Sequence, residues 1–69
     1  MSNSVYKIIE LVGTSTESWE DAGRAAVERA GETLRDLRIA EVTSQDMVIE
    51  NGKVAAFRTK VSVSLKYEN

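Results

Sequence analysis

The sequence predicts an α+β fold of order β-α-β-β, in which a three-stranded antiparallel-type sheet in the order 1-3-2 partly wraps one helix. Three observations carry this expectation. A β-rich opening run, VYKIIELV, leads into a capped amphipathic segment, and almost half the chain then reads as two long strands about an Asn51-Gly52 turn.

Strand 1, Val5 to Val12, carries apolar residues on both alternation sets, Val5, Ile9 and Leu11 against Tyr6, Ile8 and Val12, as a strand covered on both sides requires. GTSTES reads as a loop. Ser18 with Asp21 fits a capping box, and Glu17, Glu20 and Asp21 sit where the helix dipole favours acids. In the helix that follows, Trp19, Ala22, Ala26, Ala30, Leu34 and Leu37 recur at steps of three and four with Val27 beside them, while Glu20, Arg24, Glu28, Glu32 and Arg35 take the other face. Trp19, next to the cap on the apolar stripe, is expected in the core rather than as a ligand platform. Gly23 and Gly31 each cost about 1 kcal/mol of helix propensity relative to Ala, which implies close packing against a neighbour.

After Leu37 the pattern turns to strand, and both central residues of the type I′ turn expected at Asn51-Gly52 need positive φ. From Ala55 onward Phe57, Val61, Val63 and Leu65 share one face and Arg58, Lys60, Ser62, Ser64 and Lys66 the other, with Thr59 and Tyr67 extending the apolar set. The helical crossover makes strands 1 and 2 parallel, and strand 3 returns between them. A strand of about 13 residues reaches about 43 Å, further than one helix can cover, so the rest of the sheet is expected to meet other copies of the chain.

Length and composition point the same way. Residues 1–69 make one domain, and a domain of this size buries only about 60% of the surface its unfolded chain exposes. With no Cys and no His, neither a disulfide nor a structural zinc site can reinforce it, and oligomerisation is the remaining common route. The 9 Lys+Arg and 11 Asp+Glu, net charge -2, form no basic footprint for nucleic acid. No apolar run is long enough for a secretory segment or a membrane span, so a soluble, cytoplasmic chain with no membrane partner is expected.

No nucleophile and base can be paired, and GTSTES lacks the Lys-Ser/Thr ending of a phosphate loop, so the chain reads as a non-enzyme. Asp46, Glu50 and Glu41 offer hard oxygen ligands without EF-hand spacing. A solvated strand face is the simpler reading, and calcium held by symmetry-related carboxylates is the alternative. Arg38 and Arg58, on neighbouring strands, can pair with carboxylates or stack on a planar ligand, and Glu41 or Glu50 is the expected partner of Arg58.

Taken together, VYKIIELVGTS, the capped helix, LRIAEV, ENGKV and FRTKVSVSLKYE resemble the dodecins over essentially the whole chain, VGTS and AEV being the most specific pieces. The resemblance implies a homododecameric hollow shell of cubic symmetry that binds flavins, stores them and quenches their photochemistry without performing chemistry on them. It places the flavin pocket at Arg38, Ile39, Gln45, Arg58 and Lys66. The Trp that stacks on the flavin in typical members falls on Ile39, and the Gln that hydrogen-bonds the ring falls on Arg58. Loss of one stacking face, worth about 1–3 kcal/mol, implies binding weakened by roughly one to two decades. The basic positions that meet the phosphate of phosphorylated flavins fall on Asp46 and Lys66; only Lys66 is basic, so riboflavin rather than FMN is the expected ligand. SVYK, SWE, QDM and the Arg positions resemble the branch that lacks the stacking Trp and includes calcium-binding members. A flavin-free structural or calcium-binding shell, with Asp46 and Glu50 as metal candidates, is the alternative function.

Overall fold

The computed structural model describes residues 3–67. Strand β1 (Tyr6–Ser15), helix α1 (Trp19–Gly31), strand β2 (Leu37–Glu50) and strand β3 (Lys53–Lys66) follow one another along the chain. The sheet order is β1-β3-β2, with both outer strands antiparallel to β3. This is the architecture expected from the sequence.

β1 runs further than VYKIIELV, because Gly13, Thr14 and Ser15 still pair with Thr59, Arg58 and Phe57. Part of the expected loop is therefore strand. Gly13 permits it: a Cβ built there would lie 1.9 Å from the Ala22 carbonyl oxygen, so only a residue without a side chain lets the helix settle on the strand at this point. The turn into α1 is built by serines. Ser18 Oγ accepts from the Asp21 amide at 3.0 Å, as a cap should, but the carboxylate of Asp21 accepts from Ser15 Oγ at 2.7 Å instead of reaching the Ser18 amide. Ser15 Oγ in turn accepts from the Glu17 and Ser18 amides, so the capping box closes through a residue of β1.

α1 ends at Gly31, although the apolar spacing continues to Leu37. The Thr33 and Leu34 amides both donate to the Ala30 carbonyl, and Asp36, at φ 60, turns the chain into β2. Leu37 consequently opens β2 opposite Leu65. A strand entering the same core points a residue inward just as another helical turn would, which is why the spacing alone does not mark the end of the helix. At the hairpin tip Asn51 (φ 53) and Gly52 (φ 75) are both in the left-handed region, as a type I′ turn demands.

The helix lies over β1 and β3. Among the described residues the buried apolar side chains are Ala22, Ala30, Val61 and Val63, joined by Thr59, whose hydroxyl donates to the Trp19 carbonyl at 2.8 Å. Trp19 itself is half-buried, its ring edge-on to Phe57 at 5.0 Å. A core made of alanines and valines is thin, and the chain that surrounds it is a slat of 55 × 20 × 15 Å.

Candidate functional site

The face of the sheet turned away from α1 carries the even-numbered residues of β1 and β3. Their cross-strand register arranges them in rows. Ile8 and Ile39 flank Ser64, Glu10 and Glu41 flank Ser62, and Thr14 and Asp46 flank Arg58. Ile8 is 57% exposed and Ile39 68%, so the first row is an open apolar shelf. Ser64 holds that shelf in place: its hydroxyl accepts from the Ile39 amide at 3.3 Å and donates to the Ile39 carbonyl at 3.4 Å.

The row about Arg58 is a clasp. Arg58 Nε donates to Asp46 Oδ1 at 2.6 Å and the terminal guanidinium nitrogen donates to Oδ2 at 2.7 Å, a bidentate fork that uses both carboxylate oxygens. These hydrogen bonds hold the Asp46 carboxyl below its ordinary range, against the opposing effect of its partial desolvation and with the added attraction of the Arg58 and Lys60 charges. They hold Arg58 more firmly protonated in return. Glu41 and Glu50, the partners expected for Arg58, give way to Asp46. The reason is register. An uninterrupted ladder from the Glu50 and Lys53 pair would set Gln45 opposite Arg58, but a shift between Val48 and Ile49 moves the pairing by one residue and brings Asp46 there. No pattern in the sequence marks that shift.

The residues singled out from the sequence fall at separate places on the chain. Ile39 stands on the apolar shelf, and Arg38 occupies the register shift between Leu37 and Ile39. Lys66 lies opposite Tyr6 at the end of the sheet, beside a cavity of about 520 Å³ lined by Lys7, Arg35, Asp36, Leu65 and Tyr67. Arg58 shares the face with Ile39, but the stretch of β3 from Arg58 to Ser64 puts about 20 Å between them. Gln45 is on the other face, opposite Thr59, in a groove between α1 and β2 that Trp19, Val27 and Val42 also line. Asp46 is engaged by Arg58, and Glu50 adjoins the hairpin turn. Among the described residues no group of His, Cys, Asp and Glu gathers to hold a metal ion. None of the helices among them is long and apolar enough to cross a membrane.

Two links were not legible beforehand: the Asp46 to Arg58 clasp, and a hydrogen bond of 3.0 Å from Trp19 Nε1 to the Asp46 carbonyl. The position of Trp19 beside the helix cap was the available signal for the second.

The family model described as Dodecin matches residues 5–68. A protein of Mycobacterium tuberculosis named calcium dodecin is 44% identical over 63 residues, covering 91% of this chain and 89% of that protein. The solved dodecin of Streptomyces coelicolor superposes with a TM-score of 0.92 at 40% identity and covers 100% of this chain and 99% of its own. The crystal structure of the Mycobacterium tuberculosis calcium dodecin, described as having a novel calcium-binding site, superposes with a TM-score of 0.83 at 45% identity and covers 94% of this chain and 93% of its own.

Proposed function

Because the chain belongs to the dodecin family, we propose that it is a non-enzymatic, cytoplasmic store: a homododecameric shell that binds a planar small molecule between its subunits, with phosphate-free flavin of the riboflavin type as the ligand. The observation that supports this reading best is the open shelf of Ile8 and Ile39 about Ser64, a flat apolar surface that the subunit's own helix does not reach. Ile39 and Arg58 stand too far apart to line one pocket within a subunit, so the pocket is completed by a neighbouring copy. Ile39 offers a β-branched wall where an aromatic plate would stack, so affinity is modest. Asp46 sits beside Arg58 and repels a phosphate, which favours riboflavin over FMN.

The second reading, a flavin-free calcium-binding or structural shell, is favoured by the 44% identity to the calcium dodecin. Riboflavin fluorescence separates the two. Under the first reading the purified assembly quenches riboflavin at a fixed stoichiometry and binds FMN more weakly. Under the second, riboflavin fluorescence is unchanged to high micromolar concentration, while calcium raises the melting temperature of the assembly. A further comparison maps the pocket. Ile39→Trp combined with Arg58→Gln restores a stacking plate and a neutral amide, and riboflavin should then bind tighter by roughly one to two decades with the oligomer retained. Equal affinity in parent and double variant would show that the pocket lies elsewhere.

A further inference from the structure

Trp19 touches the clasp row from the opposite side of the sheet. Its indole Nε1 donates to the Asp46 carbonyl at 3.0 Å, its ring packs edge-on against Phe57 at 5.0 Å, and its own carbonyl accepts from Thr59 Oγ1 at 2.8 Å. Phe57 and Thr59 are the residues on either side of Arg58, and Asp46 is the residue paired with it. One residue at the first turn of α1 thus holds the side chains on both sides of Arg58, the Phe57 ring and the Thr59 hydroxyl, and the backbone carbonyl of Asp46, while the two charged side chains extend to the far face.

This arrangement is needed because the clasp has little else to keep it aligned. The side chains of Arg58 and Asp46 are 44% and 52% exposed, and an ion pair in that setting is ordinarily loosened by water and by side-chain freedom. A fork with distances of 2.6 and 2.7 Å requires the two backbones to be held at a fixed separation and twist. The ladder on one side of the pair is interrupted by the shift between Val48 and Ile49 and on the other by the shift between Val42 and Ser44, so it sits on a short regular segment between two irregular ones. A contact from outside the ladder that spans both strands supplies the missing constraint.

We infer that Trp19 is the positioning residue of the Asp46–Arg58 clasp, acting through the sheet from the face on which α1 lies. Its consequence for ligand binding rests on the flavin reading above: with Trp19 in place Arg58 is committed to Asp46, and without it the guanidinium is released toward the ligand and its affinity changes.

The test compares the assembled parent with Trp19→Phe, which keeps a ring against Phe57 and removes the N–H donor, and with Asp46→Asn, which removes the carboxylate and keeps the backbone acceptor. In arginine-labelled protein without ligand, NMR reads the exchange of the Arg58 Nε proton with solvent. Exchange in Trp19→Phe faster by about fivefold, the weight of one hydrogen bond, and moving toward the rate in Asp46→Asn, is the expected result. Parent-like exchange in Trp19→Phe, with fast exchange in Asp46→Asn, overturns the inference. If Trp19→Phe does not assemble, the reciprocal measurement decides, since coupling between two sites acts in both directions. The Trp19 indole N–H should exchange faster in Asp46→Asn than in the parent, and an unchanged indole rate overturns the inference. Riboflavin titrations of parent and Trp19→Phe form a separate arm. A parent that does not bind riboflavin defeats the flavin reading and leaves the exchange rates to decide the positioning role.

Discussion

At the scale of single residues, two positions have consequences that can be measured. Gly13 lies against a backbone carbonyl that cannot move aside without displacing α1, so Gly13→Ala should destabilise the protein by on the order of 3 kcal/mol. Gly52 is the contrast: its Cβ would meet open space, and only its φ of +75 opposes a side chain, so Gly52→Asn should melt close to the parent temperature. Equal losses at the two glycines, read by thermal denaturation, would show that β1 and α1 are not in the contact described. Asp46 gives a pH signature. Its folded-state proton affinity is depressed by the Arg58 hydrogen bonds, so its stabilising contribution is present above the ordinary aspartate value of 3.8 and disappears as pH falls through the lower folded value. The melting temperature of Asp46→Asn should therefore lie below that of the parent at neutral pH and converge with it in strong acid; a gap of the same size at both would rule the clasp out as its source. The sequence disclosed Arg58 as a charge on a polar face that must find a partner. It did not disclose Asp46 as that partner, because a one-residue register shift that local composition does not encode sets Asp46 rather than Gln45 opposite Arg58.

Among the elements, those whose signals are local were the most legible. The Asn51-Gly52 turn needs only its own φ values, and the Ser18 cap only the next turn of helix, and both stand where the sequence indicates. The ends of β1 and α1 were less legible because they are decided across the chain: Gly13 through Ser15 stay in the sheet because β3 continues beside them, and α1 stops where Asp36 redirects the chain to bring Leu37 against Leu65. The helix entry shows the same dependence. Ser15, a strand residue, joins the Asp21 carboxylate to the Glu17 and Ser18 amides, so Ser15→Ala should cost about 1 kcal/mol, comparable to loss of a cap, despite lying outside the helix. A Ser15→Ala variant with parent stability in denaturant titration would mean that Ser18 alone suffices.

The whole molecule has a surplus of surface. A compact monomer of this mass exposes about 4,300 Å², and the subunit exposes 5434 Å² around a core of small side chains. Much of the excess lies on the long hairpin, where Ile39, Val42, Met47, Ile49 and Val54 are all exposed. Under the proposed shell, in which copies of the chain cover this surface, dissociation and unfolding should coincide and the melting temperature should rise with protein concentration. Native mass spectrometry that finds a folded species at 7.6 kDa would overturn this expectation. The sheet order carries one more consequence, for synthesis. β1 leaves the ribosome first, yet the strand it pairs with is β3, joined to it from Tyr6 opposite Lys66 to Ser15 opposite Phe57. Translation proceeds at about 5–20 residues per second, so for several seconds the nascent chain carries an apolar first strand with no mate. The subunit cannot begin its sheet from the N-terminus, and a message interrupted before β3 yields a peptide that has nothing to fold against.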